Sequence, residues 1–200
     1  MDNYEKETIA AIATALSDSG IGIVRISGEN AIYIVDSIFR SASGKKILTK
    51  VQSHMIHYGY IVDKDENIID EVMTSVMKAP KSYTMEDTVE INCHGGVLVM
   101  QKVLETVLQA GARLAEPGEF TKRAFLNGRI DLSRAEAVID VIHSQNEYAL
   151  SSSVSQLKGR LSDKIRSLRE DILYQIAFIE SALDDPEHIS LEGYPEQLAE

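Results

Sequence analysis

The chain has 200 residues, of which 44% are hydrophobic and 26% are charged, a composition typical of a globular protein of one or two domains. Its formal charge of −11 argues against a protein that coats nucleic acid along its whole length, because phosphate binding requires concentrated lysine and arginine. Cys93 is the single cysteine, which excludes an internal disulfide and a multi-cysteine metal site. No secretory signal and no apolar run of the roughly 20 residues that a bilayer span needs are present, so we expect a cytoplasmic protein with no membrane partner.

The first 130 or so residues predict a mixed α+β domain. Short β-favouring runs at 8–14 and 22–26 predict strands, and Ser27 then offers an N-cap to a helix with apolar positions near residues 32–39. Two further runs, 54–62 and 68–77, flank five polar residues and predict a hairpin. A strand at 88–93 leads into a helix that ends at Gly111. We therefore expect a mixed sheet with flanking helices.

The segment at 117–132, PGEFTKRAFLNGRIDL, predicts a corner that forms a site. Pro117-Gly118 and Asn127-Gly128 break the chain, and a helix can begin at Glu119 between them. The cationic side chains in this segment predict that an anion binds nearby; they are Lys122, Arg123 and Arg129.

From Leu132 onward the sequence pattern predicts helices alone. Ser133 and Glu136 have the spacing of a capping box at the start of one helix. Apolar residues then recur in steps of three and four from Leu150 to Leu183, which predicts a long helix of about 50 Å if it is continuous, with Gly159 as its weak point. Such a stripe needs a packing partner, and we expect it in a missing C-terminal part or in another subunit.

Five motifs occur in order along nearly the whole chain: GIVRISG at 22–28, SYTMEDTVEINCHGG at 82–96, GAR at 111–113, PGEFTKRAFLNGRIDLSRAEAVIDVI at 117–142 and LDDPE at 183–187. Together they resemble the N-terminal part of the tRNA modification GTPase family called MnmE or TrmE. In LDDPE, Asp185 stands where the family more often has an aromatic residue. That departure concerns only the packing at the end of the helix.

The resemblance implies two domains. Residues 1–118 would form a folate-binding and dimerisation domain, similar to the tetrahydrofolate-binding domain of aminomethyltransferases, and 119–200 the N-terminal portion of a helical domain. In the family, a GTPase domain is inserted into the helical domain. The full-length protein acts with an FAD-containing partner protein to modify the wobble uridine of certain tRNAs at C5.

The chain contains no G-x-x-x-x-G-K-[ST] loop, which a GTPase needs to hold the phosphates and Mg²⁺. The family's C-terminal Cys-x-Gly-Lys motif is also absent, and Cys93 is no substitute for its cysteine. We therefore expect a fragment that does not hydrolyse GTP, with GTP, Mg²⁺ and K⁺ binding only in the absent GTPase domain.

The resemblance assigns the folate-contacting positions to Arg25, Glu90 and Arg129. A carboxylate such as Glu90 suits the adjacent N–H donors of a pterin, and an arginine suits the carboxylates of the glutamyl tail or a carbonyl oxygen. The expected ligand is 5-formyltetrahydrofolate or 5,10-methylenetetrahydrofolate, which would supply one carbon.

Simpler roles compete for these residues. Without the resemblance, Arg25 and Glu90 are solvent-facing charges on strands, and Arg129 decorates a turn. His94, before Gly95-Gly96, is either a base beside an anion-binding turn or, as we favour, a locally hydrogen-bonded residue. The basic residues of the second half, Lys158 to Arg166, belong either to a tRNA contact or to a solvated helix face.

Two alternative functions remain open. The chain could be a dimerisation or scaffold module without a ligand, whose apolar stripe recruits a partner helix. A free-standing aminomethyltransferase is less consistent with the sequence, because those proteins continue into further β domains whereas this chain continues into long helices.

Overall fold

A computed structural model describes residues 7–188 and residue 194. The chain divides into two compact units, one up to Ile130 and the other from Asp131. The expected sequence of a mixed α+β domain followed by helices is confirmed.

Seven strands form the sheet of the first unit. Their bounds are β1 Ile9–Ile12, β2 Ser19–Ser27, β3 Phe39–Ser41, β4 Met55–Val62, β5 Ile68–Met77, β6 Thr88–Gly95 and β7 Arg113–Leu114. They lie in the order β3-β4-β5-β6-β2-β1-β7, and the pairs are antiparallel except β1 with β7. The mixed sheet places β2 and β6, which are far apart in the sequence, side by side.

Two helices of the first unit, α1 (Ala31–Ile38) and α2 (Val97–Gln109), pack against the sheet. Alternation along the strands turns Val24, Ile26 and Ile91 into a core in which they are fully buried. Met100, on α2, is also fully buried in that core. The residues between these positions, including Arg25 and Glu90, therefore point to the opposite face of the sheet.

The predicted helix cap at Ser27 is wrong. Ser27 is the last residue of β2, and its hydroxyl lies 2.6 Å from Thr84 Oγ1 and donates to Glu86 Oε2 at 2.8 Å. The helix begins four residues later, with Asn30 at the N-cap position. The Ser27 hydroxyl is hydrogen-bonded to residues distant in the sequence, and the local sequence does not reveal such partners.

The predicted hairpin is confirmed as β4 and β5, joined by residues 63–67. Asp63 organises this loop because its Oδ1 accepts hydrogen bonds from the backbone N–H groups of Asp65 and Asn67, at 2.8 and 2.9 Å. The pKa of Asp63 is lowered, first because the side chain of Asn67 donates a hydrogen bond to its carboxylate and then because of these backbone bonds. The loop is thus closed by its own side chains.

The first unit continues twelve residues past 118, the domain boundary that the resemblance implied, through α3 (Glu119–Leu126) to Ile130. Side chains of α3 and of the turn after it bond to the loop at 82–87: Arg123 to Glu86, and Asn127 to the carbonyl of Thr84. The sequence analysis placed this helix with the all-α segment because helical pattern alone does not reveal which surface a helix packs on.

The second unit contains α4 (Leu132–His143), α5 (Glu147–Leu157) and α6 (Arg160–Asp184). The predicted capping box is wrong: Asp131 is the N-cap, and its carboxylate accepts from the N–H of Arg134 at 2.9 Å. Ser133 lies inside the first turn and donates to Asp131 Oδ1. The pKa of Asp131 falls to about 2, first because Ser162 donates a hydrogen bond to it and then because Ser133 and Arg134 do.

The long helix predicted between Leu150 and Leu183 is divided at Gly159. This residue has φ +84°, in the left-handed region that glycine adopts without steric cost, and it separates α5 from α6. Most of the predicted stripe on α6 is exposed, including Ile165, Leu168 and Ile172.

Candidate functional site

Arg25 and Glu90 form an ion pair across two neighbouring strands. They are direct partners in the register of β2 and β6, and Arg25 Nε donates to Glu90 Oε1 at 2.7 Å. Their side chains are 30% and 23% exposed, so the pair is shielded but open to a ligand. Glu90 keeps acceptor capacity on Oε2, to which no hydrogen-bond donor is assigned within residues 7–188 and 194. Sheet pairing thus unites two residues that the sequence analysis named separately.

Aromatic rings surround the Arg25 end of this pair. The guanidinium carbon of Arg25 lies 5.6 Å from the ring centroid of Tyr83 and 5.8 Å from that of Phe120. Tyr83 belongs to the loop between β5 and β6, and Phe120 to the first turn of α3. Both distances fall within the range in which a cation is attracted to the face of an aromatic ring. This part of the site therefore combines charge with flat apolar surface.

Arg129 joins the same cluster through Tyr83. Its guanidinium carbon lies 4.8 Å from the centroid of that ring. The turn after α3 brings it there: Gly128 has φ +77°, and the N–H of Arg129 bonds to the carbonyl of Ala124 at 2.9 Å. Arg129 is exposed, and none of the described carboxylates lies at ion-pair distance from it. It is the cation of this cluster best placed to meet an anionic ligand.

The other arginine of the predicted corner, Arg123, is part of the internal structure. It is 5% exposed and donates to Glu86, to Glu119 and to the backbone carbonyl of Glu7. Buried charges require such partners. The expectation that Arg123 adds positive charge for an external anion is therefore wrong, although Lys122 beside it is exposed.

Glu119 lies at the centre of this ion-pair network. Burial opposes its ionisation, but bonds from the Arg113 side chain, the Glu116 N–H and the Arg123 side chain outweigh burial and lower its pKa to about 2. The carboxylate stays charged over the physiological range. Its role is to fix the start of α3, and with it the position of Phe120.

His94 forms a separate polar cluster further along β6. Asp70 accepts from both the backbone N–H and Nδ1 of His94, at 2.8 and 2.7 Å, and this hydrogen bond raises the pKa of the imidazole. The ring is 69% exposed, beside a shallow cavity that Tyr58, Glu71 and Asn92 also line. The favoured interpretation of His94 as a locally hydrogen-bonded residue agrees with this geometry.

The single cysteine, Cys93, is not a reactive nucleophile in this structure. Burial raises the pKa of the Cys93 thiol to about 11, which keeps it protonated and unreactive at neutral pH. Among the described residues, no group of three or more histidine, cysteine or acidic side chains is arranged to hold a metal ion. The described helices include none that is both long and apolar enough to cross a membrane.

The sequence analysis missed the residues that connect the site. Tyr83 and Phe120 occur in its motifs but received no role, because a lone aromatic in a loop or a first helical turn has no periodic signal. The structure shows that Tyr83 links Arg25 to Arg129, and that Phe120 contacts Arg25 as well. Their one sequence signal is their position inside the two longest motifs.

The first unit holds two arginines against one aromatic ring, with a carboxylate paired to one of them, and an all-α unit follows it. These features define a two-domain protein with a candidate site for a small anionic ligand. Two family models match it: "GTP-binding protein TrmE N-terminus" over residues 8–129 and "MnmE helical domain" over residues 132–199. The chain therefore belongs to the TrmE, or MnmE, family.

Relatives named tRNA modification GTPase MnmE are similar over nearly all of this chain. The protein from Lachnoclostridium phytofermentans is 64% identical over 96% of the chain, and that from Geobacillus kaustophilus 56% over 97%. The Bacillus subtilis protein is 51% identical over 96%. In each case the chain spans about 42% of the relative's length.

Proposed function

We propose that the first unit binds a reduced folate, 5-formyltetrahydrofolate or 5,10-methylenetetrahydrofolate, at Arg25, Glu90 and Arg129. One observation carries the proposal: Arg25 and Arg129, from distant parts of the sequence, lie against the ring of Tyr83, and Arg25 is also paired with Glu90. Charged groups that serve only solubility have no reason to converge in this way.

The chemistry of the cluster fits such a ligand. Glu90 can accept N–H donors of the pterin, since Arg25 occupies one oxygen in the described structure and the second remains an acceptor. Arg129 can bind a tail carboxylate in a charge-assisted, two-pronged hydrogen bond. Tyr83 and Phe120 offer flat surface to the ring systems of the ligand.

In the full-length protein, we infer, the bound folate supplies the carbon that is added to C5 of the wobble uridine in certain tRNAs. That reaction would need the GTPase domain, with its GTP, Mg²⁺ and K⁺, together with an FAD-containing partner protein and the tRNA. A tRNA substrate is consistent with action in the cytoplasm. The first unit would also join two copies of the protein as a homodimer.

Calorimetric titration of the 200-residue chain with 5-formyltetrahydrofolate tests this proposal. We expect micromolar binding that Glu90→Gln and Arg129→Gln each weaken about tenfold or more, equivalent to about 1.4 kcal/mol. Lys122→Gln is the matched control, because it removes a nearby exposed cation from outside the cluster. We expect its binding to stay within about twofold of wild type.

The exposed apolar residues of α6 favour a second candidate, a scaffold that recruits a partner helix and binds no ligand. A folded chain that shows no heat of binding and no competition by any reduced folate would contradict the folate proposal. It would leave the scaffold as the better explanation. Equal weakening by Lys122→Gln would instead contradict the choice of residues.

A further inference from the structure

Tyr83 is the point at which the two arginines of the site meet. Its ring lies 4.8 Å from the guanidinium carbon of Arg129 and 5.6 Å from that of Arg25. Two guanidinium groups repel each other, and the electron-rich face of an aromatic ring attracts each of them. The ring therefore offsets the repulsion and allows both charges to remain in one site.

The protein fixes Tyr83 at its hydroxyl. Tyr83 Oη lies at hydrogen-bond distance, 2.9 Å, from Thr121 Oγ1 on α3. The same helix carries Phe120, and the turn after it carries Arg129. Tyr83 is thus attached directly to the segment that supplies half of the site.

The loop that follows Tyr83 is also held in place by contacts. Thr84 is fully buried, and its carbonyl accepts a hydrogen bond from Asn127 Nδ2 at 2.7 Å. Arg123 Nη1 donates to both oxygens of Glu86 at 3.2 Å. Met85, between them, has φ +60°. Residues other than glycine rarely adopt this backbone conformation, and surrounding contacts are needed to maintain it. The loop is therefore built to hold one shape rather than to move freely.

We propose that Tyr83 is a positioning residue of the ligand site: its ring holds Arg25 against Glu90 and Arg129 toward the anionic part of the ligand. This inference rests on the proposed folate function and adds to it a residue that acts through the two arginines. Its phenyl ring is the active feature, and its hydroxyl anchors the ring to α3.

Three variants distinguish the role of the Tyr83 ring from the role of its hydroxyl. Tyr83→Leu removes the ring, Tyr83→Phe keeps the ring and removes the hydroxyl, and Thr121→Val removes the partner of that hydroxyl. We expect Tyr83→Leu to weaken binding of 5-formyltetrahydrofolate at least tenfold. The other two variants should stay within about threefold of wild type, so that phenylalanine rescues most of the loss.

A double-mutant cycle tests whether Tyr83 acts through Arg129. If it does, Tyr83→Leu should cost much less in an Arg129→Gln background than in wild type. A ligand-free readout accompanies the cycle: ring-current shifts of the Arg25 and Arg129 side-chain protons in NMR spectra. We expect these shifts in wild type and Tyr83→Phe and their loss in Tyr83→Leu, while the backbone spectrum of the core strands is unchanged.

The outcomes are distinguishable. If wild type binds the folate and Tyr83→Leu binds equally well, the positioning role is wrong and the proposed function stands. Additive losses in the cycle, or no rescue by phenylalanine, would also overturn the role. If wild type does not bind, both the proposed function and this inference fail.

Discussion

At the scale of single residues, charge in this protein divides between groups that build the structure and groups that remain available. Arg123 and Glu119 are buried and bonded to each other, whereas Arg129 is exposed and contacts an aromatic face. The three residues lie within eleven positions of one motif. Local sequence could identify their charge, but only their partners decide their roles.

Glu119→Gln tests the structural role of the buried network. We expect it to lower the free energy of unfolding by about 2–3 kcal/mol at pH 7, because Arg113 and Arg123 each lose a charged acceptor. Glu105→Gln is the control: its pair with Lys102 is exposed, so the change should be below about 0.5 kcal/mol. Urea unfolding followed by circular dichroism measures both.

The difference in unfolding free energy between wild type and Glu119→Gln should depend on pH, and the lowered pKa of Glu119 fixes its direction. The pKa of Glu119 falls from 4.5 to about 2 on folding, so its contribution is complete above pH 4.5 and is lost as the pH falls toward 2. The stability difference between wild type and Glu119→Gln should narrow over that range. A difference that stayed constant from pH 5 to pH 2.5 would contradict the ionised role of this carboxylate.

Asp70→Asn tests the polar pair further along β6. Because the Asp70 hydrogen bond is the largest cause of the raised pKa of His94, the substitution should lower that pKa toward the ordinary value of about 6.5. NMR titration of the imidazole protons measures the pKa. The wild-type protein, titrated under the same conditions, is the reference. An unchanged His94 titration would show that the pair does not persist in solution.

At the scale of elements, the hairpin of β4 and β5 was predictable because alternation and a polar loop are local signals. The starts of α1 and α4 were not. Ser27 and Ser133 both had the residue type of an N-cap, yet each hydroxyl bonds to a side chain instead. A cap depends on where the chain turns into the helix, and tertiary contacts set that point.

Gly159→Ala tests the break between α5 and α6. Alanine at φ +84° carries a steric penalty, so we expect a loss of about 1 kcal/mol in the free energy of unfolding. Gly20→Ala is the matched control, because a Cβ there meets no atom within 4 Å and its φ lies outside the left-handed region. Thermal and urea unfolding measure both variants. A neutral effect of Gly159→Ala would mean that the two helices can run on as one.

At the scale of the whole molecule, the two units differ in how much apolar surface their helices and strands bury. The first unit has a continuous core between its sheet and two helices, whereas the described helices of the second bury little of their apolar surface. The first unit also leaves apolar side chains exposed on β4 and β5, namely Ile56, Tyr58 and Met73. Exposed apolar patches of this kind mark association surfaces.

Sedimentation equilibrium tests the proposed homodimer. We expect the 200-residue chain to sediment as a dimer at micromolar concentration, and Met73→Glu to shift it toward monomer by placing a charge in the exposed face of the sheet. Leu98→Glu, on the exposed side of α2, is the control and should leave the dimer intact. A wild-type monomer, or equal effects of the two variants, would contradict dimerisation through this face.

The sequence by itself determined the family, the order of an α+β unit before a helical unit, and the three charged candidates of the site. It could do so because motifs and hydrophobic periodicity are local properties of the chain. The tertiary structure alone decided that Arg25 pairs with Glu90, that Arg123 is structural, and that Tyr83 connects the two exposed ends of the site. These outcomes depend on strand register and on where α3 packs, and residues distant in the sequence fix both.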